Sequence, residues 1–144
     1  MAARPRALAF AFALLTAASR CAWADVLPGE WDIATTVAVV GQPGSVGPVH
    51  QTQCLGAAQA DSPAATFGSL ASLGAGCALS DKRDDGSSLS FHVTCSGPIA
   101  TDGSGAVTYG PDHMEGDLQM QNTIAGQQVT TQSHVAARRI GPCQ

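Results

Sequence analysis

The chain has 144 residues, with seven Lys and Arg against eleven Asp and Glu and a formal net charge of −4. That length corresponds to one domain, and so few cations cannot form the basic face that nucleic acid requires. Gly contributes 16 residues and the aromatics only 5%, so a core must be assembled from aliphatic side chains rather than stacked rings.

The first 24 residues carry an export pattern. Arg4 and Arg6 precede an apolar run from Ala7 to Ala18, and Ala22-Trp23-Ala24 is a cleavage site before Asp25. This predicts a cleaved secretory leader over residues 1–24. The run is too short to span a bilayer, so no transmembrane segment is expected. Lipidation of Cys21 is the poorer reading, because Arg20 stands where a small residue is needed. The mature domain, residues 25–144, sets four basic residues (Lys82, Arg83, Arg138 and Arg139) against all eleven acidic ones, a net charge of −7. Its aromatics are Trp31, Phe67, Phe91 and Tyr109. The expected location is periplasmic or secreted.

In chain order, Trp31, Ile33, Thr35, Val37 and Val39 alternate with more polar residues, a strand pattern. Gly41-Gln42-Pro43-Gly44 and Gly47-Pro48 mark a loop, and a second strand runs near Val49–Cys54. Asp61-Ser62-Pro63 starts a helix, with a capping side chain followed by Pro. Phe67, Leu70, Ala71 and Leu73 continue it until Gly74 and Gly76. Ala78–Arg83 is a weak polar strand ending at the Asp84-Asp85-Gly86 turn. Leu89, Phe91, Val93 and Cys95 give the clearest alternation, closed by Ser96-Gly97-Pro98. Val107 and Tyr109 share a face of the next strand, and Gly110-Pro111-Asp112 is a turn. Met114, Leu118 and Met120 share a face of another strand, Ala125-Gly126 is a two-residue turn, and Gln128–Ile140 is the last strand. Short connections imply antiparallel neighbours. The expected fold is mainly β: an antiparallel meander of about seven strands, curling toward a half-barrel, with one short helix and two disulfides.

Cys54, Cys77, Cys95 and Cys143 are an even set in an exported chain, which implies two disulfides. Their spacing lacks the close pair of a structural zinc site. Of the three possible connectivities, Cys54–Cys77 with Cys95–Cys143 is preferred here, because the first bridge would pin both flanks of the helix.

Several short motifs then combine. They are Leu27-Pro28-Gly29-Glu30-Trp31, Gln53-Cys54-Leu55, Gly76-Cys77, Val93-Thr94-Cys95-Ser96-Gly97, Gly103–Tyr109 and the terminal Arg138-Arg139-Ile140-Gly141-Pro142-Cys143. Together they resemble the domain-of-unknown-function family 3617, small exported bacterial proteins. The resemblance implies an exported β-rich domain and no agreed activity or catalytic residue. Members often carry methionine-rich strands. Only Met114 and Met120 remain in this mature chain, which weakens any thioether copper site.

The best polar constellation lies on the last hairpin. A two-residue turn at Ala125-Gly126 pairs Asp117 with His134 and His113 with Arg138 on one face, with Glu115 between them. His113, Glu115, Asp117 and His134 are therefore weak candidates for a metal or cation site, weighed against an ordinary solvated strand face. His92 is expected on a polar face, and His50 has no evident partner. Asp81, Asp84 and Asp85 are carboxylates in or near a turn. Gly103-Ser104-Gly105 lacks the strand–loop–helix setting of a phosphate cradle, and no G-x-S-x-G elbow occurs. No cofactor is called for. The expected function is a non-catalytic envelope protein that binds a small apolar ligand on a curved sheet. A periplasmic protein–protein interaction module is the alternative, and a hydrolase the third.

Overall fold

The computed structural model describes residues 26–97 and 99–144. The expected leader with its cleavage site and Cys21 lies outside the described residues, as does Pro98. Seven strands and one helix follow in order: β1 (Gly29–Val39), β2 (Val46–Leu55), α1 (Pro63–Leu70), β3 (Cys77–Asp84), β4 (Ser88–Cys95), β5 (Thr101–Tyr109), β6 (His113–Ile124) and β7 (Gln127–Gly141). They form one antiparallel sheet with spatial order β2-β1-β7-β6-β5-β4-β3. From β3 to β7 this is the expected meander. The first hairpin then joins it by pairing β1 with β7, from Trp31↔Arg139 to Val39↔Thr131.

Period-two alternation sorts the side chains onto two faces. Trp31, Ile33, Val93, Val107, Leu118, Val135 and Met114 point to one side and are buried. The indole N–H of Trp31 donates to the Leu27 carbonyl at 3.2 Å, so this buried donor is satisfied. The other face carries Asp32, His50, His92, Asp102, Glu115, Asp117 and His134, while Gln53 stays on the apolar face opposite Trp31.

Helix α1 begins as its residues dictate. The Ser62 hydroxyl accepts from the Ala65 N–H at 3.2 Å, and Pro63 occupies the first turn, where its missing N–H costs nothing. It ends at Leu70, short of the two glycines, because Ser72 enters the left-handed region with φ 54°.

The position of α1 shows that the sheet curls. Ser69 receives a hydrogen bond from the Gln53 side chain of edge strand β2 at 2.9 Å. Two residues earlier, the Phe67 ring lies 5.2 Å from that of Phe91 on β4. Those strands are five spacings apart, about 24 Å in a flat sheet. Both can reach one helix only if the apolar face is concave. Residues 56–76 thus bridge the two edges of a half-barrel, and α1 fills its hollow.

Two glycines shape that concavity. A Cβ on Gly105 would lie 2.5 Å from Phe91 Cζ, and one on Gly116 would lie 2.9 Å from Val107 Cβ. The neighbouring side chains therefore lie flat across the glycine positions.

The cysteine pairing corrects the expectation of Cys54–Cys77 and Cys95–Cys143. The bridges are Cys54–Cys143 and Cys77–Cys95, with Cα separations of 5.5 and 3.9 Å. Cys77 and Cys95 are direct cross-strand partners in β3 and β4. Cys54 and Gly141 both neighbour Glu30, from opposite sides of β1, so Cys143 reaches Cys54 across that strand. Cys54 and Cys77 instead lie on the two opposite edges of the sheet, separated by the helix that was expected to join them.

Candidate binding surface

The predicted hairpin register is the observed one. Ala125 and Gly126 have φ of 50° and 79°, the two positive values of a type I′ turn. Asp117 pairs with His134 and His113 with Arg138. His134 Nδ1 lies 2.9 Å from Asp117 Oδ1 and its Nε2 lies 3.3 Å from Glu115 Oε1. Glu115, Asp117 and His134 therefore meet. His113 does not join them, because its ring turns to Asp112 Oδ1 at 3.0 Å. Each ring nitrogen of His134 already faces a separate carboxylate, so the two acids flank the ring instead of converging with it on one point. Among the described residues no group of three or more His, Cys, Asp or Glu is arranged to hold a metal ion.

The remaining histidines also sit beside acids on this polar face. His92 Nε2 meets Asp102 Oδ2 at 2.9 Å across β4 and β5. His50 meets Asp32 at 3.5 Å across β2 and β1. That contact was not legible in sequence, because it depends on the register set by the irregular Gly47-Pro48 segment. A hollow of about 660 Å³ runs over His92, Ser90, Ser104 and Asp117, with Arg83 on its rim. The His92 and Asp102 side chains are 36% and 64% exposed, so the pair lacks the dry setting that strengthens a catalytic dyad. The Gly103-Ser104-Gly105 segment is a regular part of β5 and forms no phosphate-binding loop.

The two edges of the sheet are built differently. Edge strand β3 carries Asp81-Lys82-Arg83-Asp84, with an irregularity between Ser80 and Arg83 and Asp81 at φ 49°. Charges and a bulge are the usual devices that deter strand addition. Edge strand β2 has a bulge only at Gly47-Pro48. From Val49 to Leu55 it pairs regularly with β1 and contains no Asp, Glu, Lys or Arg.

The ladder also fixes which main-chain groups of β2 face outward. The Val40 N–H donates to the Thr130 carbonyl, so even-numbered residues of β1 exchange hydrogen bonds with β7 and odd-numbered ones with β2. Gln53, Gln51 and Val49, opposite Trp31, Ile33 and Thr35, therefore point their main-chain groups inward. His50, Thr52 and Cys54 point theirs outward from the sheet, and all three residues are exposed.

A family model described as "Protein of unknown function (DUF3617)" matches residues 26–143. The chain belongs to this family. No curated protein and no solved structure matches it. In this DUF3617 domain the two methionines are core elements: Met114 is buried and Met120 packs half-buried against the same cluster. No helix among the described residues is long and apolar enough to cross a membrane.

Its carboxylates are perturbed only locally. Asp85 accepts from the hydroxyls and main-chain N–H groups of Ser88 and Ser87. The Ser88 hydroxyl does most to lower its pKa, from 3.8 to about 2. Asp112 is lowered by its hydrogen bond with His113. Burial pushes the Tyr109 phenol well above its usual range, and the hydrogen bond to Asp84 adds to this. These contacts organise the β3–β4 turn and the turn before β6. Asp81 and Asp117 both line the hollow over His92, and Asp84 and Asp85 line a neighbouring one with Glu115 and Asp117.

Proposed function

We propose that this DUF3617 domain is a non-catalytic periplasmic or secreted module that acts by docking another protein chain along the open edge of β2. The observation that carries this reading is the asymmetry of the edges: β3 is charged and bulged, whereas β2 from Val49 to Leu55 is regular and uncharged, with Val49 to Thr52 and Cys54 exposed. An unpaired edge is a template for strand addition, in which main-chain hydrogen bonds supply affinity. Two disulfides support export, since they persist in oxidising compartments, and the pattern over residues 1–24 supports a cleaved leader.

The test is site-specific photo-crosslinking in the producing cell. A probe at His50 should trap a discrete protein adduct, and Thr52→Pro should abolish it. Pro at position 52 removes an outward N–H and none of the bonds to β1. An adduct that survives Thr52→Pro, or equal adducts from a probe at Ser80 on the opposite edge, refutes the reading.

A small apolar ligand is the second reading. Buried side chains and α1 occupy the concave face near Trp31 and Phe67, which leaves that reading the uncovered far end. Its support is a hollow of about 260 Å³ there, lined by Val37, Val39, Val46 and Pro43. Lipid recovered in organic extracts of the purified protein favours it.

A further inference from the structure

Resting on the docking reading, we infer that the occupant of the β2 edge is a second copy of this chain, paired antiparallel about a two-fold axis through Thr52. An isologous contact requires a surface complementary to itself. The segment Val49-His50-Gln51-Thr52-Gln53-Cys54-Leu55 has that property. Reversed about Thr52, it sets Thr52 against Thr52, Gln51 against Gln53, His50 against Cys54 and Val49 against Leu55. The threonine pair is favourable across strands and no like charges oppose one another; Leu55 is buried in its own core, so the pairing rests on the exposed residues Val49 to Thr52 and Cys54.

The backbone obeys the same symmetry. The outward-facing residues are His50, Thr52 and Cys54, and reversal about Thr52 maps this set onto itself. Each outward residue then meets another outward residue, which gives about six main-chain hydrogen bonds from three residues per copy. A centre at Gln51 or Gln53 would match Thr52 with an outward residue but leave one of the three unpaired.

Charge favours this edge over the rest of the surface. Residues 25–144 carry a net charge of −7, so two copies repel wherever their acids approach. From Ile33 to Val49 the chain is uncharged, and the β2 edge from Val49 to Leu55 continues this with His50 as its only titratable group besides the disulfide-bonded Cys54. His50 itself lies beside Asp32 of β1. Association here buries Val49, 59% exposed in the single chain, and joins two sheets into one continuous fourteen-stranded sheet.

The experiment is sedimentation velocity with native mass spectrometry on the oxidised mature domain over a wide concentration range. The wild type is expected to dimerise, and added salt should leave the dimer unchanged or strengthen it, because only long-range repulsion is screened. Thr52→Lys and Thr52→Glu each place like charges face to face and should weaken the homodimer at least ~10-fold. Mixing the two variants should restore a 1:1 heterodimer, which also shows that both fold. A wild-type protein that stays monomeric at every concentration overturns the inference. In that case a Thr52-dependent adduct with a different protein leaves the docking reading intact, and loss of both removes it. A dimer that persists undiminished in both charged variants places the contact elsewhere and also overturns the inference.

Discussion

Gly105→Ala measures how the curled sheet is packed. Gly105 has ordinary strand geometry, so alanine meets no backbone strain. Taken alone, the change should stabilise by about 0.4–1 kcal/mol through the unfolded chain. The opposing effect is steric. The new methyl would lie 2.5 Å from Phe91 Cζ, 2.7 Å from Cε2 and 3.2 Å from the Asp117 carbonyl. Phe91 is 4% exposed and packed on Phe67, so the ring cannot swing away without disturbing α1. Overpacking of this kind costs about 1–3 kcal/mol. The clash wins, with an expected net loss of about 1–2 kcal/mol. For a domain of this size that lowers the melting temperature by roughly 4–8 °C. The assay is thermal and urea unfolding of Gly105→Ala, Phe91→Leu and the double variant. Leucine is shorter than the ring and makes room for the methyl, so the two losses should fall short of additive by about 1 kcal/mol. A Gly105→Ala protein as stable as its parent, or strictly additive losses, would refute the picture of a ring lying across a glycine gap.

Three further outcomes follow from the bridges and the turns. Non-reducing peptide mapping should link Cys54 to Cys143 and Cys77 to Cys95. With sequence separations of 89 and 18, replacing the first pair by serines should cost about 4.6 kcal/mol and the second about 3.2 kcal/mol by loop-closure entropy, and an inverted order in urea unfolding would contradict that account. The Asp85 carboxyl, followed by NMR, should titrate at about 2, and Ser88→Ala should move it up toward 3.8. Because the folded value is the lower one, its stabilising contribution is complete above about pH 3.8 and is lost as pH falls toward 2; a Ser88→Ala protein with an unmoved midpoint would show that the hydroxyl is not the cause. Tyr109 is the only tyrosine in the chain, so ultraviolet titration reports it alone. No phenolate band should appear near pH 10 while the domain stays folded, and since the folded pKa is raised, stability is complete below about pH 10 and declines above it.

Much of the sheet was legible because its determinants are local. Period-two alternation named the inward residues Trp31, Ile33, Phe91, Val93, Val107, Met114 and Leu118. The Ala125-Gly126 turn then set the β6–β7 register, which brought Asp117 to His134 as predicted. Ser62 and Pro63 located the start of the helix. Its end was misplaced, because the left-handed turn at Ser72 precedes the glycines that looked like the stop. Strand phase placed His113 on the face of Glu115 and Asp117, but its ring contact, with Asp112, depends on a side-chain rotation that the alternation does not encode.

By itself, the sequence determined what single strands and tight turns can encode: which residues face inward, where the chain reverses, and that four cysteines pair. The tertiary structure alone decided what depends on distant segments meeting. Pairing of β1 with β7 closes a contact about a hundred residues long in sequence, and no periodicity specifies it. That closure carries Cys143 across β1 to Cys54, while the passage of residues 56–76 over the concave face parts Cys54 from Cys77. The same closure leaves β2 and β3 as the free edges. Only then does the uncharged Val49–Leu55 segment become an edge strand, with Val49 to Thr52 and Cys54 exposed along it.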